Sequence, residues 1–251
     1  MQQSECSENE ILVQPLSEVS DGKIIGSLGV VKAKGIQIRD VSLTDYVIYG
    51  NCGLEKLSPR VRTLEYAMLP VKLNKPMTGL IFHGAVLLNA FYEARLRFGE
   101  NVILLGNGYR KQLMRQIAGI LGLGCFETAD LRTSCEKIID AVMICSKDIK
   151  NGEIKIALEA LRPKSKVVSL AIWPIEKHWD VIFKKELKMV NVRLAGASLT
   201  NPNAAIAQQL PETYIRQNVK RNLTEFRDWY ISGKVSFESI EQRELMIKNF
   251  G

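Results

Sequence analysis

Two glycines separated by one residue, Gly106-Asn107-Gly108, stand directly after four apolar residues, Val102-Ile103-Leu104-Leu105. Beyond them Leu113, Ile117, Ile120 and Leu121 recur at helical spacing. The pattern predicts a buried parallel strand, a tight turn and a helix whose N-terminus points back over the strand end. Such a turn suits an anion, because the unpaired N–H groups of a first helical turn and the helix dipole both favour negative charge. A pyrophosphate is expected over Gly106, Asn107 and Gly108 and the N–H groups of Tyr109, Arg110 and Lys111. The full dinucleotide fingerprint asks for a third glycine, and Lys111 stands in that place. A turn kept only because the fold needs it is the competing reading.

Other candidates follow from position. Asp130 lies 22 residues beyond Gly108, close to the ~20 expected of an acid that binds the adenosine ribose. An Asp capping a turn after a short strand fits equally well. Arg132 follows it and could accept a 2′-phosphate instead. With Arg110, Lys111 and a pI near 9.1, it tips the expected cofactor slightly towards NADP over NAD. Cys145-Ser146 and Ala171-Ile172 each end a candidate strand, where a doubly wound sheet lines its ligand crevice. Cys145 has no assignable histidine partner and reads as a core thiol rather than a nucleophile. Proton transfer has four candidates, Tyr49, Cys52, Tyr66 and His83. His83 and Tyr49 are preferred, His83 because a histidine titrates near neutrality. A histidine at a helix start is also often a structural donor.

The elements that must hold these residues fall into two halves. Between Ile24 and Leu69 the apolar runs are short and β-like, at Ile24-Ile25, Gly29-Val31, Ile36 to Val41, Tyr46 to Tyr49 and Tyr66 to Leu69. Residues before Ile11 read as loose. From Met77 strands and helices alternate: a helix over Gly84 to Leu96, strands at Val102 to Leu105, Phe126 to Asp130, Ile138 to Cys145, Val167 to Ile172 and Met189 to Ala195. Helices are expected over Ile154 to Leu161 and Trp179 to Lys185, and over Glu212 to Ser232 with Gly233 as cap. Strands separated by helices mean a parallel sheet with both faces covered. The expected division is 1–76 as a β region and 77–251 as a nucleotide-binding domain.

Composition excludes several classes. At 251 residues, 46% hydrophobic and 24% charged, the chain has an ordinary globular balance. No apolar run approaches the ~18 residues of a membrane span. The polar, acidic start reads as neither signal nor transit peptide, which leads to the expectation of a cytoplasmic protein. Five cysteines, none at CxxC spacing, and two histidines far apart give no zinc pattern and no disulfide framework. The net charge of +7 is scattered, without an aromatic-interleaved basic stripe, so nucleic acid is not the expected partner.

Several motifs occur in one order. Gly29-Val30-Val31, the Gly35 turn and Asp40-Val41 to Asp45-Tyr46-Val47 are followed by Leu64-Glu65-Tyr66-Ala67-Met68-Leu69-Pro70. Then come Phe98-Gly99-Glu100-Asn101-Val102, Leu161-Arg162-Pro163 to Val167-Val168, and Ser232-Gly233-Lys234-Val235. In this collinear set the chain resembles the medium-chain dehydrogenase/reductase family, which joins a GroES-like barrel to a Rossmann domain. The resemblance implies an α/β fold: a shortened Rossmann-like doubly wound parallel sheet preceded by a truncated GroES-like β-barrel remnant. It also implies a nicotinamide near Cys145-Ser146 and Ala171-Ile172, and places His83 at the seam of the two parts.

The departures are equally specific. Thr44 replaces the family's usual glycine, and the zinc ligands find no match: the positions before Gly29 hold no histidine, the glutamate position is Phe82, and only Cys52 lies in the structural-zinc region. Zinc-independent chemistry is therefore expected. The chain is short against full family members. About 13 residues between Gly124 and Ile138 cannot build a strand, a helix and a further strand, so the sheet should lose its outer strand on the adenine side. The leading expectation is an NAD(P)-dependent reductase of a small carbonyl or activated alkene in a biosynthetic pathway. Two other readings stay open: a non-catalytic accessory protein with a pathway partner, and a different nucleotide or phosphate in the old cleft. Residues 189–195 have the edge character through which family members form homodimers.

Overall fold

In a computed structural model the chain is described at residues 6, 10–21, 23–34, 36–52, 59–62, 66–69, 76–132, 138–146, 148–192, 218–243 and 245–250. It divides into two compact units. The first takes the described residues up to Asn89, 218–237 and 245–250; the second takes 90–192 and 238–243. The division differs from the expected 1–76 and 77–251. It falls inside a helix, and the C-terminal residues return to the first unit because their strand completes its sheet.

The first unit is built on a six-stranded antiparallel sheet, β1 (Glu10–Ser20), β2 (Ile24–Lys34), β3 (Tyr46–Cys52), β4 (Arg60–Arg62), β5 (Tyr66–Leu69) and β11 (Met246–Asn249). The main path runs β11-β1-β2-β3-β5, with β4 on β1. Ile11, Val13, Val31, Val47, Tyr49 and Tyr66 bury one face, with Ile38 and Val41 beneath it. From Glu10 the chain is a full strand, its apolar residues Ile11, Val13 and Val19 alternating into the core. One expectation is corrected. Ile36 to Val41 is irregular: Ile36 is exposed, while Ile38 and Val41 drop into the core and Lys34 Nζ donates to the Val41 carbonyl.

A 3-10 turn, Pro76–Gly79, leads into α1 (Leu80–Glu93). In the second unit β6 (Asn101–Leu105), β7 (Gly124–Phe126), β8 (Ile139–Ile144), β9 (Leu161–Ser169) and β10 (Lys188–Asn191) form a parallel sheet ordered β10-β9-β8-β6-β7. Its helices are α2 (Gly108–Ile120), α3 (Asn151–Ala160) and α4 (Trp179–Lys184). Ile103, Leu105, Val142, Ile144 and Val167 pack with residues of α3 and α4 on one face. Cys145 meets Met114 of α2, so by strand alternation α2 covers the other face. The sheet is doubly wound. Between β7 and β8 the described residues hold only a 3-10 turn, Asp130–Arg132, and β7 is the end of the sheet. Pro163, between the helix expected to Leu161 and the strand expected from Val167, lies inside β9. The strand tolerates it at an irregularity beside Ile139 and Ala141. The last helix, α5 (Val219–Ile231), belongs to the first unit and is stopped by Gly233 at φ +74°.

Candidate functional site

The sheet order reverses at β6: β7 lies on one side of it, and the next strand in sequence, β8, on the other. Open α/β sheets bind ligands at the carboxyl edge of such a reversal. Here that edge carries Gly106, after β6, and Ser146, after β8. Gly106 has φ +109° and Gly108 φ +76°, in the left-handed region that favours glycine. Space demands glycine at Gly106 as well, since a Cβ there would lie 2.7 Å from Ser146 Oγ and 2.9 Å from its N. The strand ends of β6 and β8 thus touch across this glycine.

Asn107 is the N-cap residue of α2 in extended conformation, and its side chain makes no capping bond. No N-cap side chain bonds the first turn of this thirteen-residue helix, and a helix start of this kind suits an anion. Asn107 N–H itself has only a long contact, 3.4 Å, to Ser146 Oγ. This arrangement of two positive-φ glycines and an uncapped helix start fits a pyrophosphate.

The remaining candidates take different places. Tyr109 and Arg110 are buried, with Arg110 Nε donating to Tyr109 OH at 3.2 Å, so their backbone rather than their side chains faces the turn. Lys111 reaches away to Glu127, Nζ to Oε1 3.3 Å. Asp130 closes a turn: its carboxylate accepts from Glu127 N–H at 2.7 Å and its own N–H donates to the Glu127 carbonyl at 3.1 Å. Arg132 ends that 3-10 turn, and its side chain lies outside the described residues. Cys145 is wholly buried, its Sγ 3.2 Å from Met114 Sδ, and burial pushes the thiol up to about 12. Leu170, Ala171 and the exposed Ile172 follow β9, and the Leu170 N–H donates to the Ile144 carbonyl at the end of β8. The structure therefore brings together Gly106, Asn107, Gly108 and Ser146, with Ala171 and Ile172 following the neighbouring strand.

His83 and Tyr49 lie in the first unit. His83 is 0% exposed and its Nε2 donates to the Val19 carbonyl at 2.9 Å. Tyr49 is in the core of the antiparallel sheet, and burial raises its hydroxyl above the ordinary phenol value. Both are held by packing in that unit. Tyr66 donates to Asp40 Oδ1 at 2.7 Å and is buried; the Cys52 side chain lies outside the described residues.

Sequence reasoning missed Glu127. It directly follows β7, 19 residues beyond Gly108, at the strand end where a ribose acid belongs. Drawing the strand over Phe126 to Asp130 hid it inside the strand. Arg115 Nη2 and Lys111 Nζ both meet its Oε1. Burial alone would raise its carboxyl, but the two cations outweigh that and hold it below the usual range. Among the described residues no three His, Cys, Asp or Glu side chains are grouped to hold a metal, and no helix is long and apolar enough to cross a membrane.

No family model matches the chain, and no curated protein matches it in sequence. Solved structures match in fold. An alcohol dehydrogenase superfamily protein from Novosphingobium aromaticivorans superposes with a TM-score of 0.68 at 15% identity, over 94% of this chain and 83% of that one. Galactitol-1-phosphate dehydrogenase from Escherichia coli gives 0.67 at 14% identity, over 95% and 86%. A Sinorhizobium meliloti 1021 protein, described as a zinc-binding dehydrogenase and solved bound to NADP, gives 0.62 at 12%, over 95% and 85%. Antiparallel half-barrel, doubly wound sheet and their order in the chain agree, and the chain has the fold of the medium-chain dehydrogenases and reductases.

Proposed function

We propose that the chain is a zinc-independent oxidoreductase that uses a nicotinamide dinucleotide, NADP in preference to NAD, to reduce a small carbonyl or activated alkene of a biosynthetic pathway. One observation carries the reading: two positive-φ glycines and an uncapped helix start meet at the carboxyl edge of the sheet, where its strand order reverses. The NADP in the similar Sinorhizobium meliloti structure supports the same ligand class. When bound, the nicotinamide supplies the hydride. The backbone of Gly106 to Lys111 would hold the pyrophosphate, and Ser146 would offer a hydroxyl beside it. Ala171 and Ile172 would line the nicotinamide side. Arg110 is spent on Tyr109, so the leaning to NADP rests on Lys111 with Arg115. The protein works, in this proposal, as a cytoplasmic homodimer joined through β10.

Titration with NADPH and NADH, followed by ligand fluorescence and melting temperature, tests it. Micromolar binding is expected, and Gly108→Asp, which sets a carboxylate against the pyrophosphate at a positive φ, should weaken it at least about a hundredfold. Absence of binding to either at millimolar concentration would sink the proposal. One observation favours a second reading, a non-catalytic accessory protein: the third-glycine position is a lysine committed to an internal ion pair. Co-purification of a stoichiometric partner with a chain that binds neither cofactor would establish that reading.

A further inference from the structure

The second unit's parallel sheet has an amino edge, where its strands begin, opposite the glycine turn. The chain enters β6 there through a tight turn at residues 97–100. Glu100 N–H donates to the Arg97 carbonyl at 3.0 Å, and Arg97 N–H donates to Glu100 Oε2 at 2.9 Å. Gly99, at φ +82°, takes the third position of this type II turn, and its N–H donates to the Gly122 carbonyl at 2.9 Å. The second position of such a turn favours proline. Here it holds Phe98, 87% exposed, whose ring lies so near Gly122 that a Cβ on that glycine would come within 2.3 Å of it. A rigid turn thus displays a phenylalanine to solvent. Ile138, just before β8 and 62% exposed, stands beside the same strand start, because Asn101 Nδ2 donates to its carbonyl at 2.8 Å.

Cations are in excess on this edge. Arg162 meets Asp140 and Glu100, and Lys164 meets Glu186. Lys166 Nζ donates to the Arg95 carbonyl at 3.2 Å, and Lys188 stands opposite Lys166 in register. Arg95, Arg97 and Lys188 are exposed, and none of them enters an ion pair among the described residues. Three of the four non-glycine residues at positive φ among the described ones are here too, Arg95 at +51°, Lys164 at +63° and Glu186 at +52°. Glycine adopts such angles without strain, so the edge holds charged side chains against the backbone's preference. Helix C-termini end on this side and attract cations, as α3 does Lys185. That accounts for part of the charge and for neither exposed apolar side chain.

We propose that this edge docks the second unit on an anionic lipid surface, with Phe98 and Ile138 entering the headgroup boundary and Arg95, Arg97 and Lys188 meeting lipid phosphates. The attachment is peripheral. It is independent of the cofactor reading, whose site lies at the opposite edge of the sheet. Two features favour a bilayer over a protein partner. Phe98 projects from the tip of a turn, whereas a protein takes up an aromatic anchor in a pocket of matching shape. The free cations are spread over three strand starts, and a fluid headgroup layer adapts to such spacing, each cation adding a similar attraction.

Co-sedimentation of the full chain with vesicles tests it, with phosphatidylcholine alone against equal parts of phosphatidylcholine and phosphatidylglycerol. The chain should be half bound at about 1 mM accessible anionic lipid, and at least about tenfold more weakly bound to the neutral vesicles. Phe98→Ser should lower the partition coefficient about tenfold, and Arg95→Gln with Arg97→Gln about twentyfold. Phe98→Trp should keep wild-type binding. Ile36→Ser removes an equally exposed apolar side chain from the first unit and should change nothing. Rising salt should release the chain, and melting temperatures check that each variant is folded. Equal binding to both vesicles, no binding at about 5 mM lipid, or an effect of Phe98→Ser no larger than that of Ile36→Ser overturns the proposal. Binding of poly-L-glutamate by a chain that ignores vesicles also overturns it, and gives the edge to an acidic protein.

Discussion

Single side chains in this fold are bound by constraints that can be measured. Thr44 has φ +74°, a conformation that L-residues avoid and β-branched ones rarely adopt. Its N–H is fixed to the Val31 carbonyl at 2.9 Å, which keeps the turn in place. The resemblance marked this position only as one where a glycine is usual; the backbone supplies the reason, since glycine adopts this φ without strain. Thr44→Gly removes that strain at some cost in unfolded-chain entropy, and should raise stability by about 0.5–1 kcal/mol in urea unfolding. Asp40 gives the opposite case. Burial alone would raise its carboxyl, but hydrogen bonds from Lys220 and Tyr66 hold it below the ordinary range. A carboxyl lowered in the folded state contributes stability above its unfolded pKa and loses it as the pH falls through the folded value. The contribution is therefore complete at neutral pH and fades below about pH 4. Asp40→Asn should cost about 1 kcal/mol at pH 7, a modest figure because the site is open to water, and the gap should close in acid. A gap that does not narrow at all as the pH falls below about 4 would show that the loss is packing, not charge.

Elements were readable in proportion to how fully they are buried. β6 and β8 lie between other strands and are apolar or nearly so, and Val102 to Leu105 and Ile139 to Ile144 announced them; of β9 only the buried end from Val167 was legible, since its first half is largely polar and exposed. Edge and irregular segments were not, because tertiary contacts override local pattern there. Pro163 sits within β9 at a register irregularity, which no spacing rule reveals, and Ile36 to Val41 has strand composition but is used as two anchors under a loop. Glu127 was hidden for the same reason: β7 is three residues long, too short for periodicity to mark its end. Helix ends show a device equally invisible in sequence. The Lys185 ammonium donates to the carbonyls of Leu158, at 3.3 Å, Glu159, and Leu161, at 2.6 Å, where α3 ends and its dipole is negative. Lys185→Met keeps the stem and removes the donors. It should cost about 1–2 kcal/mol of stability, and amide exchange should quicken in the last turn of α3 more than in α2. Equal protection in both helices would show that the ammonium does not hold that end.

The molecule as a whole leaves one question to its sheet edges. The second unit's sheet ends in β7 on one side and β10 on the other. β7 offers three residues flanked by a charged cluster, and both short length and charge discourage pairing. β10 is different. Met189 packs against the core on the α3 and α4 face, and Val190 is half-buried on an edge that no described strand pairs. Residues 193–195 of the expected pairing segment lie outside the described residues, and Val192 is buried, so neither makes a clean test. Asn191 does, because it is exposed on the strand. If two copies join antiparallel through β10, Asn191→Lys sets like charges close together across a two-fold axis. The variant should then sediment as a monomer at concentrations where the wild type is a dimer, with an unchanged melting temperature for each folded chain once the loss of association is allowed for. A wild type that sediments as a monomer at about 50 µM, or a variant that remains dimeric, would place the partner of this edge elsewhere. A protein that pairs there extends the parallel sheet of its second unit across two copies and covers an edge that no described strand pairs.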